Sequence, residues 1–245
     1  QLGDVDAAVR LAGRLRDEAT ATRAQAFMAH AHSLDADLAR RQGKPAVALS
    51  LYLAAEQASS QAGNRAMADA SGLARAEILA EAGQAKEALA LWEQIRTRAA
   101  GAALDSSGEE PLLLSRARLF LVGTSEADAE LGARLWALSN SATAQGRKPT
   151  AWRAAHLAAC VFERNREARA AEAHQRAASL FEEILMNTPM QYQAGLHRDP
   201  DAPANGFSSQ ERQATAQLVE RAARAEGRLR RLQRINKRLN SDLRL

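Results

Sequence analysis

His156 and Cys160 stand four residues apart, so on a helix both side chains emerge from one face, and His174 falls where a neighbouring helix would carry it. Imidazole and thiolate are common zinc ligands, which makes this trio a candidate metal site. No carboxylates are arranged to complete the set, and a single cysteine in an alanine-rich helix ordinarily fills a small core position, so no metal is expected. His30 and His32 are two apart and point to different helix faces, which rules them out as a ligand pair. Residues 101–108 have neither the glycine spacing nor the lysine of a phosphate-cradling loop, and no nucleotide or other cofactor is expected. The serine pairs at 59–60 and 106–107 have no histidine and acid placed to activate a hydroxyl; helix-end, loop and cap roles account for them. This segment is therefore read as non-enzymatic.

Whatever positions these residues must be helical. Ala (57), Leu (31), Arg (29) and Glu (18) supply more than half of the 245 residues, and all four are strong helix formers. Valine and isoleucine together number ten and aromatics make up 4%, too little to cover the pleated surface of a sheet. The expected class is all-α. A hydrophobic fraction of 46% is enough to bury an interior. No run approaches eighteen uncharged apolar residues and no cleavable apolar leader opens the chain, so neither a membrane partner nor export is expected. A single cysteine excludes an internal disulfide and fits the reducing cytoplasm, the expected location. The chain starts at Gln1, almost at a turn motif, and is expected to be a piece of a longer protein.

A forty-residue repeat organises most of the chain. Gly3, Gly43, Gly83 and Gly123 recur at that interval, each followed eight residues later by Leu11, Leu51, Leu91 or Leu131. Ala8, Ala48 and Ala88 occupy the fifth position after the first three glycines, where the fourth copy has Asp128. The twelfth position is apolar throughout: Leu15, Ala55, Ile95, Leu135. The pattern predicts a helix ending at each glycine and a second helix burying an apolar stripe, with Leu91 among the most buried side chains. Helices are placed at 4–18, 21–42, 45–61, 65–82, 85–100, 109–122, 125–144, 149–164 and 166–187. Capping-box spacings from Ser107 to Glu110 and from Ser125 to Asp128, and Pro149 in a first turn, support these starts. A fifth turn is expected near residue 163, with Asn165 taking the left-handed conformation in place of glycine. Trp92, Trp136 and Trp152 are expected to pack rather than to bind.

Leu79-Ala-Glu-Ala-Gly-Gln-Ala-Lys-Glu-Ala-Leu-Ala-Leu-Trp92 resembles the turn and second helix of a tetratricopeptide repeat, with Gly83, Ala88 and Trp92 at the family's small, small and bulky positions. Leu38-Ala-Arg-Arg-Gln-Gly43, through Ala48 and Tyr52, is a second match. The period exceeds the family's usual thirty-four or so residues, as in the long repeats of large bacterial regulatory ATPases and kinases. The resemblance covers residues 1–187 and implies a right-handed superhelical solenoid of antiparallel hairpins with a concave wall formed by the first helices. From that register, His30, Ser33, Asp37, Arg40, Glu77, Glu81 and Phe120 are the expected partner-binding wall residues.

Beyond residue 187 the pattern breaks. Thr188-Pro189, Asp199-Pro200, Pro203 and Asn205-Gly206 make 188–208 a cap or hinge, with Tyr192 and Leu196 as anchors of a short helix or with a linker in its place. A long helix is expected over 209–245. Along it Leu218, Ala222, Ala225, Leu229, Leu232, Asn236, Leu239 and Leu243 alternate spacings of four and three, an unbroken heptad seam. That seam predicts a coiled coil and a homodimer; the alternatives are packing on the last repeat or an isolated surface helix. The same stretch holds ten Lys or Arg against four Asp or Glu, within a chain of net charge +4. It lacks aromatic stacking groups, so the arginines are read as a solvated exterior and nucleic acid is not an expected partner.

Residues 232–245 resemble the helix that precedes a GAF-type sensory domain in large bacterial signalling proteins, which join a serine/threonine kinase or an AAA-type ATPase to tetratricopeptide-like repeats. The two resemblances together imply a non-catalytic scaffold and signal-relay segment that binds a protein, a peptide or the flanking domains of its own chain. The alternative is the inducer-sensing repeat domain of a DNA-binding transcription activator.

Overall fold

The computed structural model describes residues 5–22, 24–100, 109–124, 130–190, 193 and 196, with the side chains of 5–9, 11 and 22 left aside. Among these residues there are nine long α-helices and no strand: α1 Val5–Thr22, α2 Gln25–Arg41, α3 Pro45–Gln61, α4 Arg65–Glu81, α5 Ala85–Ala100, α6 Glu109–Leu121, α7 Leu131–Ala144, α8 Lys148–Arg164 and α9 Ala170–Met186. The chain is all-α, as its composition requires. It divides into two compact units, Val5–Ala177 and a second that begins at Ala178. The heptad residues 218–243 and Tyr192 lie outside the described residues, as do Ser107, Ser125 and Asp128.

One turn recurs at six helix junctions. After α2 the Gly43 N–H donates to the Arg40 carbonyl and the Lys44 N–H to the Ala39 carbonyl, the paired bonds that close a helix through a left-handed residue. The same pair of bonds follows α3, α4, α6, α7 and α8. Gly43, Gly63, Gly83, Gly123 and Gly146 have φ between 70° and 83°. The device therefore closes helices midway through the forty-residue interval as well as at its ends, so Gly63, midway between Gly43 and Gly83, plays the part assigned to its neighbours. At the sixth junction the expectation fails by one residue: Asn165 stays right-handed at φ −81°, and Arg166 takes φ 58°. The chain then turns through 167–169, and α9 starts at Ala170 rather than at 166.

Helix starts follow from local chemistry. Asn64 Oδ1 accepts the Met67 N–H at the head of α4, and prolines occupy the first turns of α3 and α8. Helix α7 begins at Leu131.

The buried stripe differs in register from the leucine series. On α3 the buried face is Ala48, Tyr52 and Ala55, and on α5 it is Ala88, Trp92 and Ile95. These are the fifth, ninth and twelfth positions after the glycine, spaced four and three, which is one face of a helix. The eighth position lies about 100° round from the ninth, so Leu51 and Leu91 are half-buried on its flank. Leu91 is thus not among the most buried side chains. In the fourth copy the stripe widens: Leu131, Gly132 and Leu135 are all buried, and Phe162 packs so close that a Cβ on Gly132 would lie 2.4 Å from its ring.

Within the Val5–Ala177 unit each helix from α1 to α8 packs on the next, and α4 also packs on α6 and α6 on α8. Apolar clusters of described residues lie within it. One gathers Ala39, Ala48, Tyr52 and Ile78, a second Leu73, Trp92, Ile95 and Leu119, and another Phe120, Leu135, Leu157 and Phe162. In the unit that begins at Ala178, Leu180, Phe181 and Leu196 are buried, and Gln193 Nε2 donates to the Leu185 carbonyl in the last turn of α9 and to the Thr188 carbonyl just past it.

Candidate functional site

The expected wall residues separate into three environments. His30, Ser33 and Asp37, one turn apart along α2, line a cleft of about 490 Å³ between α2 and α4. Its other walls are Tyr52 from α3 and Asn64, Ala66, Met67, Ala70, Ser71 and Ala74 from the start and body of α4. Tyr52 is 3% exposed, and its hydroxyl donates to Asp37 Oδ1 in a short hydrogen bond. Burial first, then the charge and hydrogen bond of Asp37, push the Tyr52 phenol well above its ordinary pKa, so it remains a neutral donor.

Arg40, Glu77 and Glu81 form an ion-pair cluster one turn further along. The Arg40 guanidinium reaches Glu77 at 3.3 Å and Glu81 at 2.5 Å, joining α2 to α4. Glu77, 6% exposed, also accepts from Arg118 Nη1 at 3.1 and 3.2 Å, joining α4 to α6. Burial works against the Arg40 charge, but the Glu77 and Glu81 carboxylates outweigh it and raise its pKa. A ladder of Arg, Glu and Arg thus crosses three alternate helices. It is extended to α8 by Arg164, whose Nη1 donates at 2.7 Å to the Phe120 and Leu121 carbonyls at the end of α6.

Phe120 is not a wall residue. It is 3% exposed, sits in the apolar cluster with Leu135 and Phe162, and carries the Arg164 guanidinium 4.6 Å from its ring centre. Its place in the last turn before Gly123 suits a wall only if that turn faces outward, and the close approach of α8 turns it inward.

Elsewhere the polar side chains hold helices together. Arg75 Nη1 meets Glu56 Oε2 at 2.6 Å, and Arg98 pairs with Asp69, linking α3, α4 and α5. A second cleft of about 740 Å³ between α6 and α7 is lined by Glu109, Leu113, Arg134, Leu138 and Ser141, with Glu110 there ion-paired to Arg147. Cys160 Sγ lies 3.8 Å from His156 Nε2, while His174 Nε2 is 3.3 Å from Glu163 Oε2. Among the described residues no three His, Cys, Asp or Glu side chains are grouped to hold a metal ion. Trp92 and Trp152 are buried, and Trp136 is half-buried between the guanidinium groups of Arg169 and Arg176, 5.8 and 5.5 Å from its ring centre.

The α4 side of the cleft was not singled out in the sequence. The signal available was weak: Ala66, Ala70 and Ala74 recur at helical spacing after the Asn64 cap, in a chain where alanine recurs at that spacing almost everywhere.

No protein-family model matches this chain, and no curated protein or solved structure is significantly similar to it.

Proposed function

We propose that this chain is a non-catalytic protein-binding scaffold, a tetratricopeptide-like array of stacked helix hairpins that relays a bound state to neighbouring domains of a larger bacterial signalling protein. The observation that carries the proposal is the ladder from Arg40 through Glu77 to Arg118, continued by Arg164 of α8, which donates to the carbonyls at the end of α6. Alternate helices are tied edge to edge at nearly equal intervals of sequence, which supports reading them as the first helices of successive hairpins. Such an arrangement holds one continuous helical face, and the cleft at His30, Ser33 and Asp37 lies on it. Asp37 and Arg40 are three residues apart on α2, so a ligand that moves Asp37 also loads the ion pairs of Arg40. This gives relay a physical route.

The test is site-specific photocrosslinking in the producing cells. A benzophenone amino acid at Ser33, in the cleft, is expected to trap one defined polypeptide or a flanking domain of the same chain. The same group at Gln94, exposed on α5, is expected to trap neither. Identical product patterns from the two positions would overturn the proposal.

A further inference from the structure

The cleft between α2 and α4 has a polarity that the helix packing does not use. Its floor is small and apolar, with Ala66, Ala70 and Ala74 one turn apart on α4 beside Met67. Its rim carries one carboxylate, that of Asp37. Glu77, Glu81, Glu56 and Asp69 are all neutralised by arginine. Asp37 has no lysine or arginine partner among the described residues; its one polar contact is the Tyr52 hydroxyl on Oδ1, which orients the group and leaves its charge in place. Ser71 lines the opposite wall and brings a hydroxyl-bearing side chain to the cleft.

We infer that this cleft seats a peptide segment through a lysine or arginine side chain, a reading that rests on the proposed protein-binding function. The cationic head pairs with Asp37, and its methylene stem lies along the alanine floor, as long basic side chains do on apolar surface. Ser71 and Ser33, on facing walls, are placed for the amide groups that flank the anchor. The Asn64 side-chain amide, whose oxygen already caps α4, adds a donor on the same wall. A free small cation would use Asp37 alone. The spread of hydroxyl and amide groups around the cleft is what favours a polyamide chain over a simple amine.

The experiment uses the whole chain, isotopically labelled and observed by amide NMR. It is titrated with acetyl-Ala-Ala-Lys-Ala-Ala-amide, with the same peptide carrying norleucine for lysine, and with n-butylammonium. Saturable shifts are expected at cleft residues of α2 and α4, with the lysine peptide binding roughly tenfold or more tightly than the norleucine peptide, the range typical of a hydrogen bond to a charged group. Asp37→Asn is expected to erase that preference. Ala70→Trp, at an exposed position on the floor, is expected to abolish binding with the helical circular dichroism unchanged. Equal affinity for the two peptides, undisturbed by Asp37→Asn, would overturn the cationic anchor and leave peptide binding standing. Butylammonium binding as tightly as the lysine peptide would overturn the peptide as occupant. Absence of any cleft shift with either peptide would overturn the site itself, while the crosslinking at Ser33 reports independently on whether the array binds a partner at all.

Discussion

Tyr52 ties the cleft to the core: its ring is buried against Ala39, Ala48 and Ile78, and its hydroxyl ends on Asp37. Burial and the adjacent carboxylate raise its phenol pKa, so the folded chain keeps this proton at pH values where the unfolded chain has lost it. The associated stability is complete below about pH 10, the unfolded value, and falls as pH rises, by up to about 1.4 kcal/mol per pH unit. Tyr52→Phe is expected to cost about 1 kcal/mol at pH 8, from the lost hydrogen bond, and to flatten the decline above pH 10. Urea unfolding followed between pH 8 and 11.5 would measure both, and parallel slopes for parent and variant would contradict the assignment. Arg166 is the second informative residue. It holds φ 58°, a conformation that costs a side-chain-bearing residue roughly 1–2 kcal/mol and that glycine adopts freely. Arg166→Gly is expected to raise stability by up to about 1 kcal/mol, read as a higher urea midpoint with an unchanged slope.

At the scale of the helix, the stripe on α5 makes a pointed comparison. Ile95 is 1% exposed and Leu91 half-buried, although both are large apolar residues of the same helix. Ile95→Ala is expected to destabilise by about 2–5 kcal/mol and Leu91→Ala by clearly less, with thermal and chemical melts of the two variants as the check. Helix positions were legible in the sequence because glycine, proline and asparagine sit where backbone geometry demands them, and α3, at Pro45–Gln61, matches its expected bounds. The choice of face was less legible. Leucine marks the periodicity conspicuously, yet Ala48 and Ala88 are fully buried while the leucines three residues on lie at the edge. Small side chains let helix axes approach, and the bulkier neighbours are displaced to the flank. The same ambiguity hid half of the cleft, since an alanine lining a groove and one sealing a core are identical in sequence. His30, Ser33 and Asp37 were legible through the repeat register, which places α2 as a first helix and these residues one turn apart along it. Glu77 was legible as a position but not as a buried one, because its burial depends on arginines about forty residues away on either side.

For the molecule as a whole, the sequence of 209–245 sets an expectation of its own. If the seam from Leu218 to Leu243 pairs two copies, sedimentation equilibrium of 1–245 should give a dimer and 1–205 a monomer, and equal monomeric masses would remove the coiled coil. Within the Val5–Ala177 unit, the charges along alternate helices carry a different kind of information. Glu77 meets a guanidinium on each side, Arg40 from α2 and Arg118 from α6. A shuffled chain with α4 left out would set Arg40 against Arg118 and leave two like charges half-buried with no acid between them. The helices α2, α4 and α6, so alike in the turns that close them, are therefore not interchangeable: the acid on α4 fits between the two arginines and would be missed in any other order.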